Sequence, residues 1–464
     1  MDVSAVKNKA FGVFKNRPRF LKVIFIFSIP IVLSRILIAL RGIISTLFIA
    51  QFGHTQFAAS TLINASLSPI LIILMTFLYP ISVLVGNARG VGNTARIKQI
   101  VHQGWILGAL VGIIAFFLLP KLSFIFLFFR QPKQLIHYVG EYIYIMKWSI
   151  LPLMLSGGCQ QFFLAVSKAS WVTVCHCFNF VLLIMFSYIF SFTQLGMQGI
   201  AYANVLTDWM ILFIQLMYIF LNSDIKKFKL FHFCAFVDIP VLRQITQMGL
   251  PISIQFGTEW MVLSLLTFLI GTFGETALIA QQITLQASLV TMMIPLGISQ
   301  ACGILISKAR GSGEYDDLNS IAHSGLILGS IFSLIVAYIY VVHSKLIVGL
   351  YLDVSLEMNA SIIHLTNLMF VITAISQWFD SARHILIGVL RGYFDTRASM
   401  WIGIIMSCFI SLPSGYFLGF TLGFGAVGVK AGLLCGFALG MMGLIYRLQR
   451  LKIKPSYVVT SVSV

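Results

Sequence analysis

Ala88-Arg89-Gly90-Val91-Gly92 and Ala309-Arg310-Gly311-Ser312-Gly313 stand 221 residues apart (309 − 88), and the shift holds without a gap from Pro30 to Gly108. It carries Pro30 onto Pro251, Phe52-Gly53 onto Phe273-Gly274, His102 onto His323 and Ile106-Leu107-Gly108 onto Ile327-Leu328-Gly329. Such self-similarity marks a chain built as two copies of one unit. The solvent of that unit follows from composition. Of 464 residues, 59% are hydrophobic and only 10% charged, and the mean hydropathy is +0.95. A soluble domain of this length could not present so little polar surface.

Apolar runs of about 20 residues recur along the chain, each long enough to cross a ~30 Å hydrocarbon core as a helix. They lack the strict alternation of membrane strands. Helices are predicted near 22–50, 57–85, 100–120, 141–165, 171–192 and 197–221, and again near 241–272, 277–306, 319–342, 361–390, 398–420 and 426–447. The expected fold is an all-α membrane protein of about twelve transmembrane helices in two six-helix lobes. The lobes span 1–221 and 241–454, joined by a basic linker over 222–240 and followed by a short tail over 455–464. Pro30, Pro80, Pro152, Pro251, Pro295 and Pro413 fall inside predicted helices and are expected to kink them. A duplicated membrane unit of this kind is the pattern of a transporter, with its substrate between the copies.

Lysine and arginine set the expected orientation. With the N-terminus inside, the inner segments hold most of them, including Lys7, Lys9, Arg89, Arg96, Lys226, Lys227, Arg391 and Arg450. The outer loops hold only Lys121, Arg130, Lys133 and Lys345. Both termini are therefore expected in the cytoplasm, and the net charge of +17 needs no nucleic-acid partner, for which a clustered basic domain is missing. The basic start runs into a hydrophobic segment too long for a signal sequence, so it is expected to be the first membrane helix. Cys175-His176-Cys177 has the look of a metal motif, but helical neighbours two apart do not share a face and no second ligand pair accompanies them.

Fourteen acidic residues are present, and loops or helix ends account for all but Asp208, Glu259 and Asp380. A carboxylate at mid-membrane costs at least ~3 kcal/mol on insertion scales, so it normally faces a cavity, a partner or an ion. Glu259 has Gln255 one turn earlier, and the next helix carries Gln282 and Gln286 one turn apart, which together suggest a polar seam. Asp380 has Arg383 one turn later, placed for a local ion pair. Asp208 follows Asn204 by one turn and is a second candidate for a polar lining. Arg35 and Arg41 in the first predicted helix and Lys147 in the fourth either pair with these acids or attract an anion.

These residues resemble the multidrug and toxic compound extrusion (MATE) transporters, in their NorM-like branch, over nearly everything from Phe27 to Arg447. Gly249-Leu250-Pro251 opens the seventh helix, with Glu259 where that branch has a glutamate. Ala280-Gln281-Gln282-Ile283 runs on to Gln286 and Pro295 as in the eighth. Asp380 precedes Gly388-Val389-Leu390-Arg391-Gly392-Tyr393-Phe394-Asp395-Thr396, similar to the family's tenth-helix aspartate and its L-R-G-x-x-D-T signature. Leu412-Pro413 with Gly415-Tyr416, and Gly425-Ala426-Val427-Gly428, match the last two helices. The resemblance implies two six-helix lobes around a V-shaped cleft and cation-coupled efflux of drugs. Glu259 and Asp380 would then carry the coupling cation, Na⁺ or H⁺, with no other cofactor and no other metal. Two features depart from the pattern. The first-helix acid of the family is Ser45 here, within Ile44-Ser45-Thr46, and Arg35 and Arg41 are foreign to a cleft built for cations.

The resulting expectation is an antiporter, not an enzyme. It would be monomeric, lie in a plasma or bacterial inner membrane in contact with lipid, and export small organic cations or drugs by alternating access. Alternatives are a flippase or exporter of an anionic or lipid-linked substrate, using Arg35 and Arg41, and a degenerate homologue that transports nothing. An intramembrane enzyme would need a compact nucleophile–base or metal constellation, and the sequence offers none.

Overall fold

The computed structural model describes residues 3–122, 133–231, 237–353 and 356–453, which form helices and the turns between them, with no strand. The predicted tail over 455–464, the middle of the predicted linker and the loop residue Arg130 lie outside the described residues. In chain order the long helices are α1 (Val3–Ala50), α2 (His54–Phe77), α3 (Pro80–Val91), α4 (Thr94–Leu118), α5 (Lys133–Ala165), α6 (Ala169–Ser191) and α7 (Met197–Leu221). They continue as α8 (Ile239–Gly271), α9 (Glu275–Gly311), α10 (Tyr315–Val342), α11 (Ala360–Gly392), α12 (Thr396–Thr421) and α13 (Gly425–Ile453). Among the described residues, 11 spans are long and apolar enough to cross a membrane, with α2 and α3 forming one of them. The remaining predicted helix is α5, 33 residues long and carrying Glu141 and Lys147. Large apolar side chains such as Phe117, Phe213, Phe268 and Phe409 are exposed on the helices, as lipid-facing surfaces require and water would not tolerate. The chain is an integral multi-pass membrane protein.

The prolines act in three ways. Pro80 does not kink a continuous helix but starts a new one, so the segment predicted over 57–85 breaks at Leu78. A proline lacks the donor an uninterrupted helix would need, yet fits the first turn of a new helix. Pro152, Pro251 and Pro295 sit inside unbroken helices. Around Pro413, α12 widens into two π-helical stretches, Ile405–Ser411 and Phe417–Thr421, where a plain helix was expected. A stripe of glycines on α13 packs against this widened helix. A Cβ at Gly432 would meet Gly415 Cα at 2.4 Å.

The repeat is legible in the backbone. Gly92 and Gly313, related by the 221-residue shift, take φ of 78° and 77° after α3 and α9. A positive φ is cheap only for glycine, so both helices end by the same device.

By contacts the chain forms two units. One comprises Met1–Ser28, Ile254–Ile306 and Glu314–Val464; the other comprises Ile29–Ser253 and Ser307–Gly313. In the first unit, Val262, Leu266, Ala280, Met369 and Val429 form an apolar core joining α8, α9, α11 and α13. A second core, with Ile283, Val336, Tyr340 and Phe370, joins α9, α10 and α11. Helices α9 and α11 thus belong to both cores. They also approach closely: a Cβ on Gly388 would sit 2.1 Å from Ser299 O, the small-residue contact that lets membrane helices pack. In the other unit α5 packs against α2, α3, α4 and α7.

Within that second unit, a Cβ at Gly90 would lie 2.1 Å from Lys308 O, and one at Gly311 would lie 2.2 Å from Asn87 O. Gly90→Ala and Gly311→Ala should each lower stability by about 1–3 kcal/mol, the usual cost of overpacking. Gly42→Ala, which meets nothing within 4 Å, should not. Thermal unfolding of the detergent-purified proteins checks this contrast.

Candidate functional site

Helix α11 presents Thr373, Ser376, Gln377, Asp380, Arg383 and His384 to a cavity of about 90 Å³. Those positions follow the three- and four-residue spacing that puts side chains on one helical face. Arg383 bridges two helices. Its Nη1 donates to Glu259 Oε1 on α8 at 2.6 Å, and its Nη2 and Nε donate to Asp380 Oδ1 at 2.7 and 3.1 Å. Its side chain is 3% exposed, against 12% for Glu259 and 10% for Asp380. Gln255 donates to Glu259 Oε1 at 3.1 Å, and His384 Nε2 stands 3.4 Å from Asp380 Oδ1. The Phe437 ring of α13 lies 5.1 Å from the guanidinium carbon. In a medium of low effective dielectric these ion pairs are far stronger than at a wet surface, and losing one partner is correspondingly costly.

Lys430 enters the same cavity from α13. It is buried and donates to Gln281 Oε1 at 3.1 Å and to the Thr284 hydroxyl. The cavity therefore joins two carboxylates, a guanidinium and a lysine amine on three helices. Gln377 adds a buried Nε2 with no hydrogen-bond partner among the described residues.

Of the expected polar seam, only Glu259 lines this cavity. Gln282 and Gln286 are exposed and line no part of this cavity. Gln281 lines it instead, because one residue turns a helix by about 100°. Gln255 is buried but acts through its bond to Glu259 and is not part of the wall. Sequence reasoning missed Lys430, His384 and Gln377. A lysine between Gly428 and Gly432, inside an apolar run, was the available signal for the first. The one-turn spacing to Asp380 was the signal for Gln377.

Asp208 lies in the other unit and is not part of this cavity. Arg41 closes it off with bonds of 2.6 and 2.9 Å to its two carboxylate oxygens, and Ser149 donates to Oδ2 at 2.7 Å. Arg41 also donates to Asn204 Oδ1 at 2.9 Å, and Asn204 Nδ2 donates to Ser45 at 3.2 Å. Ser45, where the resemblance implies an acid, thus belongs to a closed network of Arg41, Asn204, Asp208 and Ser149. Arg35 reaches Tyr79 Oη at 3.3 Å. Lys147 packs over the Tyr144 ring at 3.4 Å. A larger groove of about 400 Å³ between α1 and α6, bordered by Pro30, Leu33 and Phe178, carries no charged side chain and has the character of a lipid-facing crevice.

Comparison with known proteins agrees with this architecture. The MatE family pattern matches residues 30–189 and 251–417, two segments that start at the repeat-equivalent Pro30 and Pro251. The multidrug resistance protein NorM of Burkholderia vietnamiensis is 29% identical over 420 residues, covering 88% of this chain and 89% of that protein. A probable multidrug resistance protein NorM of Rhizobium meliloti is 28% identical over 410 residues, covering 87% and 88%. Among solved structures, a MATE protein in its bent conformation superposes with a TM-score of 0.86 at 16% identity, covering 97% of this chain and 99% of that one. A MOP superfamily transporter from Pyrococcus furiosus superposes with a TM-score of 0.83 at 15% identity, covering 95% and 98%.

The Arg41–Asp208 pair gives a direct test of burial energetics. Arg41→Met or Asp208→Asn alone should destabilise the protein by about 3–5 kcal/mol, since each strands a buried charge. The double variant should recover most of that loss. Melting temperatures of the three variants in one detergent measure it.

Proposed function

The chain belongs to the MatE family, and on that premise we propose that it is a multidrug efflux transporter. It exports small organic compounds, cations and drugs above anions, in exchange for a Na⁺ or H⁺ ion moving inward. It works by alternating access as a single chain in the plasma membrane, with both termini in the cytoplasm. The observation that carries this proposal is the pair of carboxylates, Glu259 and Asp380, buried within membrane-spanning helices around one small cavity. Such groups are expensive in a bilayer and mark ion pathways. A cavity of about 90 Å³ is well below the ~300 Å³ at which drug-sized sites begin, so it suits an ion and a few waters. The curated relatives carry multidrug resistance in their names, which supports the substrate class.

A cation entering from outside neutralises charge at Glu259 and Asp380. It shifts the equilibrium between the two access states only if it binds them unequally. One elementary charge moving inward in exchange for a neutral compound gains about 2.3 kcal/mol per 100 mV, enough for roughly a 50-fold gradient, whereas exchange for a monovalent cation draws only on the coupling ion's concentration gradient. The N-terminal copy contributes no second carboxylate to this scheme, because Asp208 is held by Arg41 and Ser45 is not acidic. The same ion pair weighs against a flippase for anionic or lipid-linked substrates, since the charge of Arg41 is already spent on Asp208.

Ethidium efflux from cells making the protein tests the assignment. Glu259→Gln and Asp380→Asn should each cut the efflux rate by at least about tenfold, the scale of a ~1.4 kcal/mol coupling. Undiminished efflux in both variants would remove these residues from the coupling site.

A further inference from the structure

Two carboxylates from different helices could clamp a metal cation between them. In this protein a guanidinium already stands there. Arg383 Nη1 is 2.6 Å from Glu259 Oε1, and Nη2 is 2.7 Å from Asp380 Oδ1. The group is tethered one turn from Asp380, covered by the Phe437 ring, and keeps its charge at any ordinary pH. A sodium ion bridging the carboxylates would have to displace it in a cavity that also holds the Lys430 amine.

A proton makes no such demand. It adds to a carboxylate oxygen without needing room between the two groups. Asp380 has an oxygen for it: Oδ1 accepts both Arg383 bonds, while Oδ2 accepts none from the described residues. The ionisable groups facing this carboxylate are Glu259 from α8, Arg383 and His384 from α11, and Lys430 from α13.

We propose that Arg383 fixes the coupling ion as a proton, by filling the metal-cation position between Glu259 and Asp380 and leaving the Asp380 carboxylate as the proton acceptor. This rests on the cation-coupled function proposed above. An external proton bonds to Asp380, the carboxylate loses its charge, and Arg383 slackens on Asp380 while it stays on Glu259. Loss of the same proton to the opposite side restores the bridge. Arg383 is thus a selectivity residue, and its removal should uncover a sodium site that the wild type lacks.

The test measures binding of radiolabelled sodium to purified full-length protein, and transport in vesicles under separately imposed gradients. Wild type should bind no sodium saturably. A pH gradient alone should drive ethidium transport in it, and a sodium gradient alone should not. Arg383→Gln should bind sodium saturably and gain a several-fold stimulation by sodium. Arg383→Lys, which keeps a cation, should not, and adding Glu259→Gln and Asp380→Asn to Arg383→Gln should abolish the binding. The proposal is overturned by saturable sodium binding in wild type, by sodium-driven transport in wild type, or by a monodisperse Arg383→Gln protein that binds none. If Arg383→Gln does not fold, Arg383→Met is judged by the same criterion. If wild type transports nothing under any gradient, the proposed function falls, while the difference in sodium binding still decides the role of Arg383.

Discussion

A guanidinium buried in a bilayer must be neutralised by its neighbours, and Arg383 is neutralised by Glu259 from one helix and Asp380 from its own. Much else in the C-terminal helices serves that requirement. The bridge ties α8 to α11 at one register, because moving either helix by a turn would strand a charge in a medium that penalises it by several kcal/mol. Glycines allow the close approach behind it: Gly388 lies against Ser299, and Gly392 against Gly303. The π-helical stretches of α12, with the glycine stripe of α13 packed against them, set the wall from which Lys430 enters.

The two copies share a scaffold and divide the chemistry. Equivalent glycines end α3 and α9 in the same left-handed conformation. The charges do not follow the symmetry. Glu259 corresponds under the 221-residue shift to Ile38, which is exposed. In the N-terminal copy Arg41 and Asp208 join α1 to α7, with Asn204 and Ser149 hydrogen-bonded to the pair. One pair is a brace whose carboxylate oxygens are both hydrogen-bonded. The other sits in a cavity with further polar groups whose hydrogen-bonding capacity is incompletely used, Gln377 among them. A site meant to exchange an ion needs such slack; a brace does not.

Much of this was legible in the sequence. Hydropathy and the internal repeat sufficed for a helical membrane protein, because bilayer thickness and backbone satisfaction leave few other solutions. Mid-membrane acids were recognisable as special for the same energetic reason. What the residue pattern could not supply was the rotation of each helix about its axis. Gln281 and Gln282 are equally plausible in a string of letters, yet the first is buried and the second exposed. Lys430 was hidden among apolar neighbours, and its partners lie about 150 residues earlier. Spacing suggested Arg383 as a local partner of Asp380. Its second partner, Glu259, 124 residues away, is a tertiary fact. The break at Pro80 and the π-stretches near Pro413 likewise depend on neighbouring helices.

The central claim is that the coupling proton resides on the Asp380 carboxylate beside Arg383, so that by linkage substrate binding lowers its affinity there. The most direct measurement adds ethidium to purified protein in weakly buffered detergent solution and follows the pH. The account predicts proton release by wild type on substrate addition, and none by Asp380→Asn that still binds the dye. Equal release from both proteins would contradict it.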